Sequence, residues 1–241
     1  MKIKLIYTFC LAFLGYFILY PIVHIILNSF TVEKHISIAI FKTALGNYVI
    51  RRSIINSFLL GIAVVLSTST IGIPLAFLFT RYRFPGRNVF RAFCFLPLIA
   101  SPFVGAIGMT QILSRFGSLN ILLMKAGILK HPVSWLGSGL LGIFILETLH
   151  LYPIMFLNIS ASLNNFDIAS EEASYNLGAS FSQTFRRIIF PLILPGYFAA
   201  ASIIFIWTLT DLGTPLVFEY RELLAVQIFN SIKDINLNPQ G

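Results

Sequence analysis

The chain has 241 residues, of which 57% are hydrophobic, 15% aromatic and only 11% charged. Soluble domains carry about 25% charged residues, so this composition, with a mean hydropathy of +0.85, excludes an ordinary soluble globule and indicates an integral membrane protein. Disorder is excluded by the large apolar content, and two cysteines in apolar stretches do not form a disulfide scaffold. Because basic residues between apolar segments usually set membrane topology, the net charge of +8 does not indicate a nucleic-acid partner.

Five apolar windows are long enough to cross a lipid bilayer as helices, which takes about 20 residues each. The windows are residues 5–27, 54–79, 89–113, 136–157 and 191–213. They lack the alternating pattern of barrel strands, and the first is too long for a cleaved signal peptide. The sequence therefore predicts an all-α, polytopic helical bundle with five spans, embedded in membrane lipid.

Basic residues between the windows indicate the orientation of the chain. Lys2 and Lys4 precede the first window, and residues 81–91, which follow the second window, hold four arginines and no acid. Residues 29–53, on the opposite side, also hold four basic residues, so the comparison is close. Because the arginine-rich connection is shorter and denser, we expect the N-terminus in the cytoplasm.

Prolines and small residues distinguish the windows from plain membrane anchors. Prolines remove backbone hydrogen bonds that neighbours must replace; they lie within or beside the windows at Pro74, Pro97, Pro102, Pro153, Pro191 and Pro195. Small residues four positions apart let helices approach closely; the pairs are Ser57–Gly61, Ser138–Gly142 and Gly196–Ala200. We expect these helices to pack on one another.

A polar segment, residues 165–196, separates the fourth and fifth windows. Its first half predicts a helix over 168–177. Asp167, Glu171 and Glu172 lie in the first turns, where the helix dipole favours acids, and Gly178 is a typical left-handed stop.

The second half of the segment opens with Ser180 and Gln183, which have the spacing of a capping box. An apolar stripe at helical spacing follows, and Pro191 marks the entry into the fifth window. Two interpretations of this helix–glycine–helix segment stay open. It is either an amphipathic surface segment or a docking elbow that carries the motion of a soluble partner into the bundle.

The segment resembles the EAA loop of the membrane subunit of bacterial ATP-binding-cassette importers. That pattern is Glu-Ala-Ala, three residues, Gly, nine residues, Ile, one residue and Leu-Pro. The matching positions are Glu172-Ala173-Ser174, Gly178, Ile188 and Phe190-Pro191, with Ser174 and Phe190 as mild departures. The arginine-rich sequence of residues 81–87 is also typical of the family, and the resemblance extends over most of the chain.

The resemblance implies a MetI-like bundle in the bacterial inner membrane, with a cytoplasmic loop at about residues 160–190. That loop would dock on an ATPase subunit through Glu172, Ala173, Ser174, Gly178, Ala179 and Phe181. The family also implies a periplasmic or lipoprotein substrate-binding protein and a second permease half, as a homodimer or a fused chain. The permease itself would not be an enzyme and would need no cofactor, in agreement with the missing GxxxxGK[ST] pattern.

The fourth and fifth windows hold an acidic or histidine side chain at three positions, and each calls for an explanation because ionisable groups are costly in a bilayer. Glu147 and His150 lie in the fourth window, and Asp211 lies near the end of the fifth. They either make polar contacts between helices or line the translocation path. Glu-x-x-His places two metal ligands on one helical face, but no second such motif occurs in the sequence, so we expect no metal site.

Residues 211–232 are similar to the corresponding region of ferric-iron permeases and their phosphonate and polyamine relatives. The similarity rests on Gly213-Thr214-Pro215-Leu216 and on residues 224–229. We expect ferric iron as the substrate, with phosphonate, polyamine or another small solute as alternatives.

The sequence predicts two parts, a first membrane helix with an outside segment (residues 1–53) and a permease core (54–241). Residues 216–241 hold five charged residues and cannot span a bilayer. Since similar permeases have a sixth core helix, we expect either an incomplete chain or the first half of a fused permease. A membrane enzyme centred on Glu147, His150 and Asp211 is the competing class, without a recognisable catalytic spacing. A passive channel would not explain the elbow.

Overall fold

A computed structural model describes residues 2–29, 31–32, 35–36, 42, 45–136, 139–165 and 168–237. Contacts divide the chain into two compact units, Met1–Arg51 and Arg52–Gly241. The predicted division into a first membrane helix with an outside segment (residues 1–53) and a permease core (54–241) is a functional one and stays a prediction.

The first unit is built from one long helix and a short hairpin. Helices α1 (Lys2–Leu14) and α2 (Tyr20–Ser29) are joined by a π-helical turn, Gly15–Leu19. Two short strands, β1 (Thr31–Val32) and β2 (His35–Ile36), follow and pair antiparallel, with Thr31 opposite Ile36.

The remaining helices carry the predicted core. In chain order they are α3 (Tyr48–Arg81), α4 (Arg87–Ile99), α5 (Pro102–Leu113), α6 (Ser118–Lys125), α7 (Leu140–Asn164), α8 (Ile168–Asn176), α9 (Phe181–Thr184), a π-helical turn (Phe185–Ile189), α10 (Phe190–Thr210), α11 (Gly213–Val217) and α12 (Leu224–Leu237).

Within the described residues, four helical stretches are long and apolar enough to cross a membrane: Ile6–Leu27, Tyr48–Arg81, Leu140–Asn164 and Phe181–Thr210. A bent pair, Arg87–Ile99 with Pro102–Lys125, makes a fifth if it counts as one span. The predicted all-α polytopic membrane fold is confirmed. Over the described residues helix α12 extends for 14 residues, and it is not among the stretches that are long and apolar enough to cross a membrane.

The third predicted window is not one continuous helix, and that part of the prediction was wrong. The chain bends by 92° between α4 and α5, where Ala100 and Ser101 adopt extended backbone conformations with ψ near 134° and 133°. Proline disfavours helical geometry in the residue before it but suits the first turn of a new helix. Pro102 therefore ends α4 and starts α5.

The fifth predicted window also differs from the structure, because the helix begins ten residues earlier. Residues Phe181–Thr210 form one helical stretch, so Pro191 does not separate the elbow from the span. The π-helical turn Phe185–Ile189 ends two residues before Pro191, and Gly15–Leu19 ends two residues before Pro21. A wider turn accommodates a ring that would otherwise meet the carbonyl four residues earlier.

Close contacts at small residues join α3, α7 and α10. A β-carbon placed on Gly72 would lie 2.8 Å from Met155 Cβ, and one on Gly196 would overlap Ser162 Oγ. Gly61 is likewise covered by the ring of Phe205, at 2.8 Å. Large side chains of α7 fill the core beside these contacts, among them Phe156, Met155 and Leu151. The expected packing of helices at small residues is confirmed; Ser138 lies outside the described residues.

Polar contacts identify the two ends of α3. At its last residue, Arg81 forms an ion pair with Glu171 of α8. Near its start, Arg52 Nε lies 3.0 Å from Glu222 Oε2, and the Asn56 amide donates to Tyr220 Oη at 3.1 Å. Residues 168–189 and residues 219–224 therefore lie at opposite ends of this helix. Which end faces the cytoplasm stays a prediction, and Asp167 lies outside the described residues.

Cysteine labelling tests this arrangement of the ends. In a chain with Cys10 and Cys94 replaced by serine, Arg83→Cys and Asn176→Cys should react with an impermeant maleimide from one side of the membrane. Arg221→Cys should react from the other side, because all three positions are exposed and α3 separates them. From the charge pattern we expect positions 83 and 176 to be protected in intact cells. Labelling of 176 and 221 from the same side would contradict the fold.

Candidate functional site

The elbow, which we define as residues 168–189, is built around a left-handed glycine. Gly178 has φ of +81°. Its N–H donates to Tyr175 O at 2.9 Å, and the Ala179 N–H donates to Ser174 O at 3.1 Å. These two bonds form a Schellman motif, which satisfies the last carbonyls of α8 and reverses the chain.

A capping box starts the second helix of the elbow, as the sequence predicts. The Gln183 N–H donates to Ser180 Oγ at 3.4 Å, and the Ser180 N–H donates to Gln183 Oε1 at 2.9 Å. Two otherwise unpaired donors at a helix start are thereby satisfied. Because this helix continues into α10, the elbow begins a membrane-spanning stretch.

The inner face of the elbow is held together by hydroxyl groups. The Ser174 hydroxyl donates to Glu171 O at 2.9 Å and lies 2.8 Å from Thr184 Oγ1. Since a hydroxyl has one proton to donate, Thr184 is the donor to Ser174. Thr184 is 1% exposed, so this bond joins the two elbow helices in a water-poor interior.

An ion pair fastens the elbow to α3. The Arg81 guanidinium contacts the Glu171 carboxylate, and their side chains are 27% and 11% exposed. The Tyr175 hydroxyl also donates to Glu171 Oε1, at 3.4 Å. The sequence predicts a helix-dipole role for Glu171 and a topology role for Arg81, but it does not predict this pair. No local sequence pattern connects two residues that are 90 positions apart. The one indication in the sequence is that an acidic residue, Glu171, directly precedes Glu172 of the EAA pattern.

The outer face of the elbow is exposed and partly apolar. Leu177 is 89% exposed and Phe181 67% exposed, and Glu172, Ala173 and Gly178 are exposed beside them. Of the other predicted coupling residues, Ala179 is half-buried and Ser174 is buried. Ser174 therefore belongs to the inner face, and the remaining predicted coupling residues are at least partly accessible at the surface.

A second polar cluster lies at the opposite end of the bundle. Glu147 of α7 is 1% exposed and faces Asp211 and Thr214. Asp211 Oδ1 accepts from the Gly213 N–H at 3.2 Å, and Oδ2 accepts from the Thr214 N–H at 3.1 Å. The structure thus brings two of the three predicted path residues together, although 64 positions separate them. Asp211, which lies directly before the N-cap residue Leu212, thereby satisfies two N–H groups at the start of the short helix α11.

His150 has different partners. Its Nδ1 lies 2.8 Å from Pro97 O, and its ring centroid lies 5.9 Å from that of Trp207. It therefore connects α7 with α4 and α10, as the interpretation of polar contacts between helices expects. No group of three or more His, Cys, Asp or Glu residues within the described part of the chain is arranged to hold a metal ion. A role of these residues in a translocation path stays a prediction.

Comparison with known families identifies the chain. Residues 68–219 match the family described as binding-protein-dependent transport system inner membrane component. This match covers more than half of the 241 residues. The chain belongs to this family of transport-system membrane components, which are not enzymes.

Curated relatives transport different solutes. The chain is 33% identical over 216 residues to the ferric transport system permease protein FbpB of Actinobacillus pleuropneumoniae, covering 89% of this chain and 31% of that protein. It is 27% identical over 208 residues to the spermidine/putrescine permease PotB of Haemophilus influenzae, covering 83% and 72%. The chain thus spans about a third of the ferric relative.

A solved structure has the same fold. The chain resembles a bacterial ABC transporter involved in the import of the acidic polysaccharide alginate, with a TM-score of 0.73 and 19% identity over 95% of this chain and 84% of that one. At this identity the likeness establishes the fold, and it agrees with the predicted MetI-like bundle.

Substitution of Glu147 tests how the second cluster is held. The carboxyl groups of buried Glu147 and half-buried Asp211 repel each other when both are ionised, whereas an amide of nearly the same shape can donate to Asp211. Glu147→Gln should leave the free energy of unfolding within about 1 kcal/mol of the wild type or raise it. Thermal unfolding in detergent would measure this, with exposed Glu172→Gln as the matched control. A loss of more than about 2 kcal/mol confined to Glu147→Gln would contradict the contact with Asp211.

Proposed function

We propose that this chain forms the solute path of an ATP-driven importer and is coupled through the elbow to a separate ATPase subunit. The exposed outer face of the elbow carries this proposal. An exposed apolar pair, Leu177 and Phe181, lies at the turn of this helix–glycine–helix segment. That segment continues without a break into the membrane-spanning stretch Phe181–Thr210. A partner bound there would move a span directly.

The chemistry of the outer face suits a protein partner. Burial of apolar side chains contributes about 25 cal/mol per Å² of surface removed from water, so Leu177 and Phe181 would anchor the interface. Exposed Glu172 would supply a charged contact that fixes orientation. Closure of an ATPase dimer would then rock the permease between inward-facing and outward-facing states.

The orientation and the other partners follow from the same proposal. Arg186 and Arg187 of the elbow lie at the same end as the arginine-rich connection after α3, which favours a cytoplasmic location for that end and for the N-terminus. A substrate-binding protein would then deliver the solute at the opposite end, near Glu222. A second permease half, either an identical chain or a fused one, would complete the path.

Ferric iron is the proposed substrate. Support comes from the ferric transport relatives, at 33% and 32% identity over 89% of this chain. Permeases for polyamine, molybdenum and sulfate are also similar, at 26–29% identity, so another small solute is the alternative. Specificity in such systems would reside largely in the binding protein, which the permease must serve with weak, reversible contacts.

Glu147, Asp211 and His150 are the proposed lining of the path. The pairing of Glu147 with Asp211 at the end opposite the elbow supports this role. Uptake by the Glu147→Gln permease should fall although the protein stays folded, because the ionisable carboxyl group that is buried beside Asp211 is lost. Wild-type uptake by a stably folded Glu147→Gln protein would exclude Glu147 from the proposed lining of the path.

Two substitutions in the elbow test coupling. A β-carbon on Gly178 would meet no heavy atom within 4 Å, so Gly178→Val should act through the left-handed backbone alone, at a cost of about 1 kcal/mol or more. Glu172→Lys places a cation near a helix N-terminus, which costs roughly 0.3–1 kcal/mol, and reverses a charge of the interface. Both should weaken ATPase association or coupling, measured by pull-down with a tagged permease and by substrate-stimulated ATP hydrolysis in liposomes.

Glu222→Gln, at the opposite end of α3, is the control and should leave ATPase docking intact. If Gly178→Val stays in the membrane and keeps wild-type pull-down and stimulation, the elbow is not the coupling element.

Growth under iron limitation tests the substrate. A deletion strain should take up less ferric iron than the same strain complemented with the gene, because the permease supplies the route across the membrane. Radiolabelled ferric uptake would measure the difference, with molybdate and spermidine uptake as controls. Normal ferric uptake in the deletion strain would reject iron as the substrate.

A further inference from the structure

We infer that the Arg81–Glu171 ion pair is a positioning device that makes α3 follow the elbow, so that α3 carries ATP-driven motion to the opposite end of the bundle. This inference rests on the proposed coupling function of the elbow. It adds α3 as a third moving helix to α7 and α10, the two spans that flank the elbow in sequence.

The ion pair connects elements that are distant in sequence. Arg81 is the last residue of α3, and Glu171 lies in the first turn of α8. Helix α8 is in turn tied to α9 by the bond between Thr184 and Ser174. Displacement of the elbow would therefore pull on Arg81 through a short chain of polar contacts.

The surroundings of the pair strengthen it. Arg81 and Glu171 line a cavity of about 610 Å³ whose other walls include Ile73, Phe77 and Phe185. Charges attract more strongly beside apolar walls than in open water. Removal of one partner would leave the other charge poorly solvated, which is more damaging than the loss of a surface pair.

Helix α3 can transmit the displacement because it is held along its length. Positions 52 and 81 are separated by about 44 Å at 1.5 Å per residue. Pro74 removes one backbone hydrogen bond, but Gly72 is packed on Met155 and Ala76 is fully buried, so the bundle supports the helix on both sides of the proline.

The far end of α3 is bound to the segment beyond α11. Arg52 pairs with Glu222 at 3.0 Å, and the Ser57 hydroxyl accepts from the Leu224 N–H at 2.9 Å. The Asn56 amide donates to Glu222 O at 3.1 Å. A shift of α3 would therefore reach residues 219–224, at the end where the substrate-binding protein is proposed to act.

A charge-exchange series in the full importer assembly tests the inference. The variants are Arg81→Glu, Glu171→Arg and the double exchange, with Arg83→Glu as the matched control on an exposed arginine two residues away. Each single variant should still bring down the ATPase, because the outer face of the elbow is unchanged. Substrate-stimulated ATP hydrolysis should fall about tenfold and should recover to at least half of wild type in the double exchange.

Accessibility of the far end is the second readout. With Cys10 and Cys94 replaced, the maleimide reactivity of Arg221→Cys should change on ATP addition in the wild-type background, in the double exchange and with Arg83→Glu. It should not change in the single variants. A purely structural role for the pair would lower the amount of folded protein without uncoupling this response from ATP.

Three results would overturn the inference. The first is wild-type stimulation of ATP hydrolysis in both single variants. The second is a double exchange that is folded and binds the ATPase but is as defective in stimulation as the single variants. The third is an ATP-dependent change in the reactivity of position 221 that survives in the single variants. Where the single variants fail to fold, the neutral double variant Arg81→Gln with Glu171→Gln replaces them. It should bind the ATPase without substrate-stimulated ATP hydrolysis, and wild-type stimulation would again overturn the inference. If the elbow does not couple to the ATPase at all, Glu172→Lys would keep ATPase binding and stimulation. That result distinguishes failure of the proposed coupling from failure of this inference.

Discussion

Close approach of helix backbones at small residues is the constraint on which the remaining structure depends. Within a bilayer, helices gain little hydrophobic free energy by contacting one another, because lipid chains are as apolar as the side chains they replace. Gly72 against Met155, and Gly196 against Ser162, leave no room for a β-carbon. These contacts fix α3, α7 and α10 relative to one another and thereby place Arg81 beside Glu171 and Glu147 beside Asp211.

The two ends of this bundle carry polar clusters of distinct chemistry. One end presents arginines, an ion pair and an exposed apolar tip, which suits a soluble protein partner. The other end buries the carboxyl of Glu147 against Asp211 and holds residues 219–224 by hydrogen bonds to α3. The importer that we propose would couple an ATPase at the first end to solute delivery at the second, and α3 physically connects the two ends.

The sequence predicted features with local causes and missed those that depend on distant contacts. Apolar length predicted the spans, and Gly178 and the Ser180–Gln183 capping box predicted the elbow, because backbone conformation there depends on a few adjacent residues. The break at Pro102 was missed since window length ignores the local effect of proline within an apolar run. The Arg81–Glu171 pair and the contact of His150 with Pro97 O were beyond prediction, because only the tertiary packing brings residues 90 and 53 positions apart together.

Photo-cross-linking at the tip of the elbow is the most direct test of the central claim that this elbow receives the ATPase. A photoreactive amino acid would replace Leu177, which is 89% exposed, and in a matched chain Phe116, which is 83% exposed and lies between α5 and α6, outside the elbow. In the complete assembly, position 177 should cross-link to the ATPase subunit and position 116 should not. A folded, transport-competent assembly that gives no ATPase adduct at position 177, or equal adducts at both positions, would contradict the account.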